Sequence, residues 1–278
     1  MEYLFDTHAH YDDESFDADR DAVLSAMPQR GVGLIVNPGC DLSSSRKAIE
    51  LAERYDHVYA AVGIHPENCG DFVPERIDAL RELARHPKVV AIGEIGLDYY
   101  WEQNPPREFQ QEVLRRQLAL AVALHKPVII HDRDAHADTL AIVKEFPSLR
   151  GVFHCFGGSP EMARELIAMG WYLGFDGPIT YKNARKAPEV IAAIPLERML
   201  IETDSPYLTP VPHRGERNDS GFVCHVAEKI AELRGISTEE VARITLENGK
   251  RLFEIVICQT KCNSIEVQNS TNPEQKRS

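Results

Sequence analysis

The chain has 278 residues, 43% of them hydrophobic, which suits one large domain with an ample core. Its 43 acidic and 31 basic residues leave a net charge of −12, which excludes a protein that coats duplex DNA with a basic face. A small site with local cations, a bound metal among them, remains compatible with a phosphate ligand.

No run reaches the ~18 consecutive apolar residues of a membrane span. The opening MEYLFDTHAH carries neither a basic nor an apolar leader. A cytoplasmic protein without membrane contact is expected. Of the six cysteines, Cys40, Cys69, Cys155, Cys224, Cys258 and Cys262, no two form a CxxC pair. Cys258 and Cys262 lack a second pair to close a zinc site, so reduced thiols are expected.

In chain order, residues 4–5 open a first strand that ends at His8 and His10, and residues 16–29 read as a helix. Residues 32–36 are a second strand, stopped by NPG, and the helix over 43–54 has serines placed to cap it. A third strand over 58–64 ends in HP, and a helix spans 75–85. Residues 89–92 form a fourth strand that runs into GEIGLDYY, followed by a long helix over 106–124. PVIIH, GVFHCF, WYLGFDG and MLIETD are strands five to eight, with helices over 135–146, 160–169 and 188–193 between them. Two further helices, 222–234 and 238–253, complete the pattern.

Eight short apolar runs alternating with helices predict a parallel α/β sheet, and eight units in about 250 residues predict a closed (β/α)8 TIM barrel. A doubly wound open sheet would carry a Gly-rich phosphate loop after its first strand, and none is present. Residues 1–254 therefore read as one barrel domain with an extra C-terminal helix, and residues 255–278 as a polar, disordered tail.

Six residues able to ligate a metal fall at the carboxyl ends of five strands. His8 and His10 follow the first, Glu94 the fourth and His131 the fifth, while His154 and Asp204 end the sixth and eighth. Residues i and i+2 share a strand face, so both imidazoles of His8 and His10 can enter the barrel mouth. Singly, each has a plain reading as a satisfied histidine or a helix-capping acid. Together, on the face where barrels build active sites, they predict a metal site. Four N/O ligands satisfy one ion; six predict two divalent ions, Mg2+, Mn2+ or Zn2+, with Glu94 as the shared carboxylate. Asp204 would bind one ion and orient or deprotonate the attacking water. No nucleophilic triad is needed.

The runs DTHAHYD, VGIHPE, IGEIGLDYYW, PVIIHDRDA, GVFHCFGG, IETDSPYL and VPHRGERN, in that order, carry a resemblance to TatD-type metal-dependent deoxyribonucleases of the amidohydrolase superfamily, over about residues 2–253. The resemblance implies hydrolysis of DNA phosphodiesters, often from a 3′ end, on single strands or DNA ends. It also implies that His8, His10, Glu94 and Asp204 hold one metal and Glu94, His131 and His154 the second. Glu94 on strand four separates the chain from relatives bridged by a carbamylated lysine. A monomer is expected.

Three further positions suit the substrate. His65 fits a phosphate contact or a turn cap. Arg133, two residues past His131, offers a bidentate fork for phosphate. Arg214 fits either the site or a solvated loop. Tyr99, Tyr100 and Trp101 suit base stacking or a packed rim. Asp6, at i, i+2, i+4 with the histidines, is expected to orient an imidazole. After PHRGERN the chain departs from the family pattern at Asp219, Ser220 and Gly221, which leaves the path of Arg214's loop open. The alternatives to a nuclease are a small-molecule hydrolase of lactones, amides or phosphoesters at the same site, and a catalytically dead barrel. The dead barrel is disfavoured because none of the six ligands is missing.

Overall fold

The computed structural model of the protein describes residues 3–256. Its eight strands are β1 (Leu4–Asp6), β2 (Val32–Pro38), β3 (Val58–Val62), β4 (Val89–Asp98), β5 (Val128–Arg133), β6 (Gly151–Phe153), β7 (Tyr172–Phe175) and β8 (Met199–Ile201). All pair in parallel and in sequence order. The seam between β8 and β1 is joined by Thr7 N donating to Ile201 O at 3.2 Å and by a parallel bridge from Ala9 to Ser205. The architecture is a nearly closed (β/α)8 barrel, as the alternating pattern predicts.

The helices are α1 (Arg20–Ala26), α2 (Leu42–Arg54), α3 (Glu75–Leu83), α4 (Arg107–Leu124), α5 (His136–Lys144), α6 (Pro160–Ala168), α7 (Lys186–Ala193), α8 (Val223–Arg234) and α9 (Thr238–Phe253). The first expected helix is broken into a 3-10 turn, the short α1 and a second 3-10 turn that starts at Pro28. Pro28 lacks the N–H that would continue α1. At α2 the cap is Asp41 rather than a serine. Its carboxylate accepts from Ser44 N at 2.7 Å while Ser44 Oγ accepts from Asp41 N at 2.8 Å, which closes a capping box. Among the described residues no helix is long and apolar enough to cross a membrane.

Strand alternation sets up the site. Phe5, Leu34, Ala91, Ile129, Val152 and Leu200 fill the barrel interior as one buried cluster, each of the side chains larger than Ala91 contributing about 1.5–3 kcal/mol. Two residues further along the same faces stand His131, His154 and Glu202, so these three strands read apolar low in the barrel and polar at its mouth. In β4 simple alternation from Ala91 would send Glu94 outward. The register shift between Ile92 and Ile95 turns it inward. This irregular stretch continues as strand to Asp98, well past the expected end at residue 92. Leu252 and Phe253 of α9 pack into the interior cluster beside Phe5, the two phenylalanine rings lying 6.0 Å apart. Ile255, expected at the start of the tail, is buried with them. The rest of that expectation, from residue 257, lies outside the described residues.

Candidate metal centre

Beyond Asp6 the chain stays extended between β2 and β8. Ala9 N donates to Val36 O, His10 N to Ser205 O and Asp204 N to His8 O. These bonds aim both imidazoles at one point: His8 Nε2 and His10 Nε2 lie 3.0 Å apart. Glu94 Oε2 is 3.2 Å from His8 Nε2 and 3.6 Å from His10 Nε2. Asp204 Oδ1 is 3.7 Å from the first and 3.5 Å from the second. Such separations suit ligands on one ion, because donor atoms held ~2.0–2.2 Å from a metal sit about 3 Å apart.

The other oxygen of Glu94 faces a second group. Oε1 lies 3.0 Å from His131 Nδ1, 3.6 Å from His65 Nε2 and 3.8 Å from His154 Nε2. The six expected ligands are thus brought together, and His65 joins them. Its remaining nitrogen, Nδ1, accepts from Glu67 N at 3.3 Å, so His65 caps a turn and faces the centre at once.

Carboxylates behind the imidazoles set their orientation. Glu202 Oε1 accepts from His154 Nδ1 at 2.9 Å, and Asp98 Oδ2 from His131 Nε2 at 3.0 Å. Cys40 Sγ lies 4.0 Å from His10 Nδ1. Sequence reasoning missed Glu202 and Asp98, although each stands within four residues of an acid already singled out, Glu202 before Asp204 and Asp98 after Glu94.

Asp6 does not orient an imidazole as its spacing predicts. β1 ends at Asp6, and the Asp6 carboxylate turns to Thr203 and to the backbone rather than to either ring. Asp6 Oδ1 accepts from His8 N at 3.3 Å and Thr203 N at 3.0 Å, while Oδ2 accepts from the Thr203 hydroxyl at 2.6 Å. It therefore clamps β1 to the end of β8 and places His8 through the backbone. Burial pushes its carboxyl up to about 7.

Arg133 and Arg214 sit at the rim instead. The Arg133 guanidinium lies 4.0 Å from the Tyr100 ring centroid, and that of Arg214 3.9 Å from the Tyr181 ring centroid. The loop after Arg214 has a settled path. Asp219 pairs with Arg30 at 2.7 Å, Ser220 N donates to the Tyr11 hydroxyl at 2.9 Å, and Gly221 leaves room for the Arg30 guanidinium. The three departures from the family pattern thus hold the loop against the barrel wall.

Burial opposes charge on Glu94, yet His8 and His65 beside it, with hydrogen bonds from His131 and His65, hold its carboxyl well below the usual range. Asp204 is also depressed: burial opposes the charge, and the hydrogen bond from His10 and the nearby His154 outweigh it. Neither acid pairs with a lysine or arginine among the described residues. Buried carboxylates of this kind need cationic partners, and convergent imidazole nitrogens are poor ones unless protonated or shared with an ion. The mixed N/O donor set therefore fits divalent metal.

A (β/α)8 barrel with this carboxylate–histidine cluster at its mouth defines the protein as a metal-dependent hydrolase. The family model for TatD-related DNases matches residues 5–254. A metal-dependent hydrolase of Bacillus subtilis, YabD, is 49% identical over 91% of this chain and 99% of its own. The Salmonella typhimurium 3′-5′ ssDNA/RNA exonuclease TatD is 35% identical over 91% of this chain and 100% of its own. The crystal structure of Escherichia coli YjjV, a TatD homologue, superposes with a TM-score of 0.86 at 34% identity, covering 91% of this chain and 98% of that one. The chain belongs to the TatD family.

Proposed function

We propose that the protein is a deoxyribonuclease that hydrolyses phosphodiester bonds of single-stranded DNA or DNA ends in the 3′-to-5′ direction, with two divalent ions. The observation that carries this reading is the division of Glu94. One oxygen faces His8 and His10, and the other faces His131, His65 and His154. A carboxylate so divided suits one ion on each side, as in two-metal phosphodiester hydrolysis. His8, His10, Glu94 and Asp204 would hold one ion, and Glu94, His131 and His154 the other, with magnesium, manganese or zinc all compatible with the donors.

Ions held there supply Lewis acidity to the phosphoryl group and lower the pKa of a water. Asp204 would ligate through Oδ1, the oxygen that faces His8 and His10, and would orient the water or accept its proton at the other oxygen. His65 Nε2 is placed to donate toward a phosphate oxygen. Arg133 and Arg214 provide cationic contacts at the rim of a chain whose net charge of −12 disfavours binding along a duplex. The four described cysteines are free, in keeping with a cytoplasmic enzyme. It is proposed to act as a monomer.

The test is single-stranded DNA labelled at either end, incubated with magnesium or manganese, with and without chelator. Metal-dependent shortening from the 3′ end is expected. If the metal-loaded protein leaves DNA intact and cleaves a lactone or amide panel, the small-molecule alternative replaces the nuclease.

A further inference from the structure

Outside the ligand cluster, three side chains meet on the rim of the barrel mouth. Tyr100 is 49% exposed and Trp101 42%. Their rings meet edge to face with centroids 4.7 Å apart. The Arg133 guanidinium lies 4.0 Å from the Tyr100 centroid and 5.3 Å from that of Trp101. Single exposed rings are ordinary on a protein surface. Two adjoining rings with a guanidinium against them form a π-surface with a cationic edge.

Tyr99, the residue just before them, shows what a rim aromatic committed to packing looks like here. Its hydroxyl donates to Asp138 at 2.9 Å, and Arg107 lies 4.4 Å from its ring centroid. Tyr100 and Trp101 also have a guanidinium against them, but among the described residues neither makes a side-chain hydrogen bond of that kind, and both stay exposed.

Their place relative to the metal centre is set by one side chain. Asp98 Oδ1 accepts from Tyr100 N at 3.0 Å and Trp101 N at 3.4 Å, while Asp98 Oδ2 accepts from His131 Nε2 at 3.0 Å. β5 carries His131 and Arg133 on one face, two residues apart. The aromatic pair and the guanidinium are therefore each tied to His131, one through a carboxylate and one through the strand.

We infer that Tyr100, Trp101 and Arg133 form a stacking platform for a nucleobase of a single strand, next to the phosphate being hydrolysed. This rests on the nuclease reading above and deepens it: the occupant is unpaired nucleic acid, whose bases present a free π-face, and not duplex. The guanidinium meets the adjoining backbone phosphate and stacks with the rings. Recognition by stacking is tolerant of base identity, because every base has a π-face.

Trp101 makes the test direct. The chain has two tryptophans, and the other, Trp171, is 1% exposed in the core. The probe is a short phosphorothioate oligothymidylate, resistant to cleavage, titrated with magnesium into the full-length protein while tryptophan emission is read. Saturable quenching is expected, and an abasic oligomer of equal length gives no quenching. Trp101→Ala weakens binding about ten-fold. Trp101→Phe loses the signal but keeps most of the affinity in competition, because a ring face remains. Quenching by the abasic oligomer equal to that by the thymidylate overturns the platform. So does unchanged affinity in Trp101→Ala, and if wild-type protein still cleaves DNA the nuclease reading survives alone. Absence of both binding and cleavage overturns the two together.

Discussion

Glu202 Oε1 accepts from His154 Nδ1 at 2.9 Å and also from Cys155 N at 2.6 Å, so one buried carboxylate fixes both the ring and the backbone that carries it. With Nδ1 so engaged, His154 presents Nε2 toward Glu94. The Glu202→Gln variant keeps the shape but loses the charge and lets an amide N–H face the imidazole. Loss of such a partner typically costs 10–100-fold in metal affinity. A fall of about that size is expected in competition titration with a metallochromic chelator, with the circular dichroism spectrum retained. Affinity within two-fold of wild type would remove Glu202 from the support of the centre.

Gly96 carries a backbone demand at the same end of the barrel. Its φ is +155°, and a Cβ there would stand 1.9 Å from His131 O. Its strand partner is His131 itself, so any shift that relieves the clash moves a candidate ligand. Gly96→Ala is expected to destabilise by about 3 kcal/mol or more, read as a lower denaturation midpoint, and to weaken metal binding as well. Neutral behaviour in both assays would show that β4 and β5 can separate there without cost.

The eight-fold alternation and the gathering of six candidate ligands at one end of the barrel were legible in the sequence because each depends on local spacing. Apolar runs mark strands, and His or acidic residues just past them mark the mouth. What was not legible depends on geometry between strands. The inward turn of Glu94 needs the register shift in β4, which no period-2 pattern announces. Asp6 shares the spacing of His8 and His10, but β1 ends beneath them, and Asp6 clamps Thr203 across 197 positions of sequence. Glu202 and Asp98 were not legible because each meets an imidazole carried by a different strand, 48 and 33 positions away in sequence.

Asp176, at the end of β7, is 2% exposed, and its Oδ2 has no hydrogen-bond partner among the described residues. Burial raises its carboxyl well above the usual range, and nearby Glu202 adds to the rise. The sign follows from proton binding. A carboxyl raised in the folded state holds its proton longer than in the unfolded chain, so its stabilising contribution is full below the unfolded value and is lost as pH rises through the folded one. Asp176→Asn does not titrate. In chelator-treated protein, the melting temperature of wild type is expected to fall relative to this variant between pH 4 and pH 8, by on the order of 4 °C. A constant difference across that range would place the proton elsewhere.

Asp204 allows the chemistry to be separated from the fold. Its φ is +56°, a left-handed conformation that asparagine adopts about as readily as aspartate. Its backbone N–H donates to His8 O at 2.9 Å, a bond that substitution of the side chain leaves in place. Asp204→Asn should therefore fold and melt within about 2 °C of wild type when both are metal-free. What it loses is an anionic oxygen 3.5 Å from His10 Nε2 and 3.7 Å from His8 Nε2, and with it the group placed to take the proton of the attacking water. General-base loss alone lowers turnover by about 100–10,000-fold, and the missing ligand adds to that. Turnover of a single-stranded oligonucleotide measured at saturating manganese separates the two contributions, since excess metal compensates for weaker ligation but not for an absent base. Recovery of wild-type turnover at high manganese would reduce Asp204 to a ligand and leave the base to be found among the remaining groups at the mouth.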